Sequence, residues 1–75
     1  MDYSILYQKA DYVFGNGEFA ANRIYYGFGV NLYVIDGQYF EVFLDQSTYD
    51  IEKIELVEEV DVLKAYLNGI TLKFN

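Results

Sequence analysis

The sequence predicts a small α+β domain built on an antiparallel sheet of about four strands. Three observations carry this. Apolar residues alternate from Ile24 through Tyr26, Phe28, Val30 and Leu32 to Val34, the period of a strand with one apolar face. Asp36-Gly37 follows and turns the chain into a second strand. Further on, Asp61 to Asn68 places Leu63, Tyr66 and Leu67 on one helical face ahead of Gly69, the pattern of a short capped helix.

The elements follow in order. Residues 3–14 read as a helix or as a strand. Tyr3, Leu6, Tyr7, Ala10, Val13 and Phe14 share one helical face that Gly15 would end. Tyr12-Val13-Phe14 before Gly15-Asn16-Gly17 equally describes a strand entering a hairpin. The helix is the preferred of the two. Residues 23–35 read as one long strand, bent where Gly27 and Gly29 interrupt its second face. Its partner covers residues 38–45.

The register between these two follows from the apolar pattern. A two-residue turn at Asp36-Gly37 would pair Tyr33 with Phe40 and Val34 with Tyr39, mixing the faces. A three-residue loop with Gly37 in a bulge pairs Leu32 with Phe40, Val30 with Val42 and Phe28 with Leu44. Because a one-residue slip inverts every side chain, the three-residue loop is expected. The second face then gathers Tyr25, Tyr33, Tyr39 and Phe43 among Arg23, Glu41 and Asp45. It is too aromatic for an ordinary solvent face and too polar for a core.

The stretch from Asp50 to Leu67 does not form one amphipathic helix, since its apolar positions project all around the helical circle. It divides into a strand over 51–58 and a short helix over 61–68 capped by Asp61. Ile70, Leu72 and Phe74 alternate in a closing strand over 70–74. The 75 residues make a single domain, 1–75, near the lower limit at which a core sustains folding.

Composition narrows the function. Twelve acidic residues face five basic ones, a net charge of −7, and the chain has no histidine and no cysteine. That excludes disulfides and thiolate metal sites and argues against direct binding to nucleic acid, which needs Lys and Arg. Basic protein surfaces are the natural partners. The plainer explanation is solubility for a chain that is 53% hydrophobic and 20% aromatic. With Asp2 where a signal peptide would carry a base, and no long apolar run, a soluble cytoplasmic protein without membrane contact is expected.

Motifs for catalysis are weak. Gly15-Asn16-Gly17-Glu18-Phe19-Ala20 fits the G-x-G-x-x-A dinucleotide pattern, with Asp36 beyond it. That chemistry requires the glycines to leave a strand and open a helix, whereas a strand follows here. Ser4, Ser47 and Thr48 lack the usual base to activate them. Glu58, Glu59 and Asp61 do not have the spacing of a calcium loop. No enzyme activity, cofactor or metal is expected.

The acidic cluster is more informative. Asp50, Glu52, Glu55, Glu58, Glu59 and Asp61 place half of the acids in twelve residues, offset there by Lys53 alone. On a strand, alternate residues lie about 6.7 Å apart on one face, so Asp50, Glu52 and Glu58 would form a row that imitates a nucleic-acid backbone. The competing explanation is an edge strand whose charges deter aggregation. In size, acidity and lack of catalytic residues the chain is similar to the small inhibitors that phages use against host nucleases, including DNA mimics and anti-CRISPR proteins. The similarity implies an inhibitor or regulator that docks on a basic surface of a nucleic-acid enzyme. Tyr25, Tyr33, Tyr39 and Phe43 would then supply apolar anchors. The alternative is a self-associating accessory or structural subunit, a homodimer joined through that aromatic face.

Overall fold

The protein is described by a computed structural model covering residues 3–69. The chain runs α1 (Tyr3–Asn16), β1 (Glu18–Tyr25), β2 (Phe28–Ile35), β3 (Gln38–Asp45), β4 (Ile51–Leu56) and α2 (Val60–Gly69). The four strands form one antiparallel sheet in the order β1-β2-β3-β4, so β1 and β4 are its edges. This is the small α+β domain that the sequence predicts. The expected strand over 70–74 lies outside the described residues. The fourth strand is instead β1 (Glu18–Tyr25), of which the sequence reading takes only residues 23–25, joined to β2.

Residues 3–14 belong to a helix, extended to Asn16. Leu6, Ala10 and Val13 recur at i, i+4 and i+7, and this stripe packs on Ile35, Val42 and Ile54, with Tyr33, Phe40, Leu44 and Ile51 around them. Burying Val13 completely contributes about 1.5–3 kcal/mol. Tyr7 and Phe14 flank the stripe and stay exposed, at 60% and 48%. Gly15 does not end the helix. Asn16 Nδ2 donates to the Tyr12 carbonyl at 2.9 Å and the Gly17 N–H donates to the Val13 carbonyl at 2.7 Å. A Cβ at Gly17 would lie 2.6 Å from that carbonyl oxygen and 3.2 Å from Tyr33 Cβ, so glycine is required at this exit.

The expected long strand over 23–35 is two strands. Tyr26 and Gly27 take φ of 44° and 86° and close a two-residue hairpin that pairs Tyr25 with Phe28. Asp36 and Gly37, at 49° and 79°, close a second one that pairs Ile35 with Gln38. Positive φ at both central residues is the turn whose twist suits a hairpin. The three-residue loop is therefore absent, and so are its pairings. Tyr33 faces Phe40, Asn31 faces Val42 and Gly29 faces Leu44, whereas Leu32 faces Glu41, Val30 faces Phe43 and Phe28 faces Asp45.

The physical reason lies in the two helices. Helix α1 covers the face bearing Tyr33, Phe40 and Val42. On the opposite face, α2 brings Tyr66 against Arg23 and Glu41. With both faces covered, each can hold apolar residues, as Val30, Leu32 and Phe43 do beneath the α2 side. A register that mixes the apolar series between faces then carries no penalty.

Strand β4 is shorter than the 51–58 expected, stopping at Leu56, although the Val57 N–H still donates to the Tyr39 carbonyl at 2.8 Å. Its register shifts between Phe43 and Leu44, leaving Glu52 as the extra residue. Helix α2 starts at Val60, one residue before the expected 61–68 segment. Asp61 stands in its first turn, where a carboxylate suits the helix dipole.

Candidate interaction surface

The glycine motif is a helix-to-strand exit. Gly15 lies within the last turn of α1, Asn16 ends it, and Gly17 leads into antiparallel β1, the reverse of the strand-to-helix step that cradles a pyrophosphate. Ser47 and Thr48 serve the β3–β4 loop. Their N–H groups donate to Asp45 Oδ1 at 2.7 and 3.1 Å, and Thr48 Oγ1 accepts from the Asp50 N–H at 3.2 Å. Among the described residues, no three acidic side chains converge closely enough to hold a metal ion. No helix there is long and apolar enough to cross a membrane.

The four aromatic residues expected on one face are divided by the observed register. Tyr33 turns toward α1, where Phe14 and Phe19 pack edge-on against its ring at 5.5 and 5.8 Å between centroids. Tyr25, Tyr39 and Phe43 lie on the α2 side. Phe43 is only 3% exposed, enclosed by Tyr25 and Phe28 and by Lys53, whose Nζ sits 4.5 Å from its ring centre. No open face unites the four.

That side holds a polar cluster instead. Glu41, buried at 4% exposure, accepts through one oxygen from Arg23 Nη2 at 2.9 Å, Arg23 Nε at 3.2 Å and the Tyr66 hydroxyl at 2.5 Å. The guanidinium also lies 4.9 Å from the Tyr25 ring centre and 5.4 Å from that of Tyr66. Burial, and then the hydrogen bond to Glu41, push the Tyr66 hydroxyl well above the usual tyrosine range. Burial alone would lower the Arg23 value, but the Tyr66 and Glu41 groups beside it outweigh that influence and hold it raised. Among the described residues, no buried side-chain nitrogen or oxygen lacks a hydrogen-bond partner. The cluster docks α2 onto β1 and β3. Sequence reasoning places Arg23 and Glu41 on one face but misses Tyr66; the one usable signal was that Arg23 is the sole arginine of an acidic chain.

The six acids from Asp50 to Asp61 are all exposed, and they follow the chain from the start of β4 to the start of α2. Asp50 precedes β4, Glu52 and Glu55 lie on it, Glu58 and Glu59 form the connection, and Asp61 opens α2. The straight row of Asp50, Glu52 and Glu58 does not form. The register shift at Glu52 breaks the alternation, and the strand ends before Glu58. Two acids have cationic neighbours, Lys53 with Glu55 at 3.4 Å and Lys64 with Asp61 at 3.1 Å. Both pairs are exposed and screened, so neither neutralises the run.

A largely apolar groove of about 330 Å³ opens between α1 and β4. Val13, Phe40, Ile54 and Leu56 line it together with Ile5 and Tyr12, and Gln8 and Lys9 of α1 add its polar part. Ile5, Tyr12 and Leu56 are each more than two-fifths exposed. No sequence signal marks this groove, because it arises from how α1 crosses the sheet.

No family model, curated protein or solved structure matches the chain.

Proposed function

We propose that the protein is a binding protein that docks on a basic surface of a protein partner, inhibiting or regulating a nucleic-acid enzyme of the DNA-mimic or anti-CRISPR kind. The observation that carries this reading is the run of six exposed acids from the start of β4 to the start of α2, together with a largely apolar groove on the α1 side of that strand. Six acids against one lysine between Asp50 and Asp61 supply five of the seven net negative charges of the chain. Such a run steers encounter with a basic groove and competes with the phosphates that groove would bind. Ile5, Tyr12 and Leu56 on the α1 side offer apolar surface that becomes dry on docking. These replace Tyr25, Tyr33, Tyr39 and Phe43 as anchors, since those four share no open face.

The test is capture from a nuclease-treated lysate of the source cell or its host, at low and high salt. Wild type is compared with a Glu55→Lys, Glu58→Lys, Glu59→Lys variant. The expected result is a nucleic-acid enzyme retained at low salt, released as salt rises, and absent with the variant. Retention that neither salt nor charge reversal changes overturns the proposal.

A further inference from the structure

The opposite edge of the sheet calls for a different partner. Among the described residues, nothing pairs with the outer side of β1. Its register is irregular between Phe19 and Ala21, but Ala21 to Tyr25 run regularly opposite Leu32 to Phe28. An edge of that kind presents free N–H and C=O groups to any strand that approaches. Around them lie apolar side chains with little cover: Phe19 at 58%, Ile24 at 67% and Tyr26 at 86% exposure. Tyr26 holds a left-handed φ of 44°, a conformation that Asn or Gly adopts more readily than an aromatic residue. Its contact within the fold is an edge-on stack against Tyr25 at 4.7 Å. A strained, exposed tyrosine at a hairpin tip points to a surface that is covered elsewhere.

We infer that this edge is where two copies of the chain associate, β1 pairing antiparallel with β1 of the second copy and continuing the sheet. Charge selects that occupant. Glu18 and Arg23 are the charged side chains of β1, and Arg23 is matched by Glu41, so the strand adds a single carboxylate, Glu18, to this edge. A basic partner is drawn to the β4 margin, which holds most of the net charge. Two copies at −7 each repel everywhere except where acids are few, and β1 is such a place. An antiparallel strand edge is also self-complementary about a two-fold axis, as a symmetric pair requires.

Sedimentation velocity of the pure protein across a concentration series, at low and high salt, tests this. The expected result is a dimer that strengthens with salt, as screening relieves repulsion between the copies. Amide exchange in β1 should slow as protein concentration rises. Ile24→Glu should weaken dimerisation by at least about tenfold by setting like charges at the junction. Tyr26→Ser should weaken it less. Both side chains are exposed, so thermal melting should stay close to wild type and show that the fold is kept. A monomer at every concentration and both salts overturns the inference. So does a dimer that Ile24→Glu leaves intact, or one that salt dissociates.

Discussion

The two edges of the sheet are built in opposite ways. Strand β1 is anchored from the α2 side by a buried ion cluster, with Arg23 bound to Glu41 and Glu41 to Tyr66. It shows solvent a margin that is mainly apolar, with Phe19, Ile24 and Tyr26 exposed. Strand β4 is anchored from the other side by apolar contact of Ile51 and Ile54 with the α1 core, and shows solvent a margin dense in carboxylates. Charge on β4 and the register shift at Glu52 protect that edge from pairing with another strand. On β1 the irregularity at Ala20 protects one end only. The lesson is that a small sheet can divide its edges, leaving one apolar and the other rich in carboxylates.

The contrast can be broken most severely at the buried cluster. Arg23→Met removes the cation facing buried Glu41 and leaves it the Tyr66 hydroxyl alone, and is expected to cost about 3–5 kcal/mol, read by urea denaturation. Local amide exchange should rise first in β1 and α2, while β4 and α1 retain protection. Next comes Gly17→Ala. Its Cβ meets the Val13 carbonyl oxygen and must displace α1 or β1, so a loss of about 1–3 kcal/mol is expected in the same measurement.

Alkaline pH reaches the β1 anchor through Tyr66. The folded state raises the Tyr66 value above the ordinary 10.0, so the protonated hydroxyl stabilises the fold fully below that pH. This contribution is lost as pH climbs from there toward the folded value. Wild type should therefore lose urea resistance between pH 9 and pH 11 by more than Tyr66→Phe does, the two pH values lying about one unit either side of the ordinary tyrosine value. Equal losses in the two proteins would remove the hydroxyl from the account.

Smaller effects sharpen the comparison by separating stability from binding. Tyr26→Asn relieves the left-handed turn and should raise stability by about 1 kcal/mol, while weakening association at β1. Charge reversal at Glu55, Glu58 and Glu59 should move stability by no more than about 0.5 kcal/mol, as at other exposed positions, while abolishing capture of a basic partner.

Much of this architecture is legible in the sequence, and each failure has its own physical cause. The turn at Asp36-Gly37 is visible because Asp-Gly favours it. The turn at Tyr26-Gly27 is hidden. Ile24, Tyr26 and Phe28 continue an even-numbered apolar series straight through it, although the reversal moves Phe28 to the other side of the sheet from Ile24. The three-residue loop is a reasonable expectation for a sheet with one wet face, and fails because α1 and α2 cover both. The acids are easily located by composition, but not their geometry, since the shift at Glu52 leaves no mark in the pattern. The Arg23–Glu41–Tyr66 cluster joins residues 18 and 25 positions apart in the chain, a contact that local periodicity does not encode.

The most direct test of the division between edges is one salt series followed for both associations, by sedimentation velocity of the protein alone and with its captured partner. The account predicts slopes of opposite sign, self-association strengthening with salt and the β4 complex weakening. Slopes of the same sign, or both flat, would contradict it.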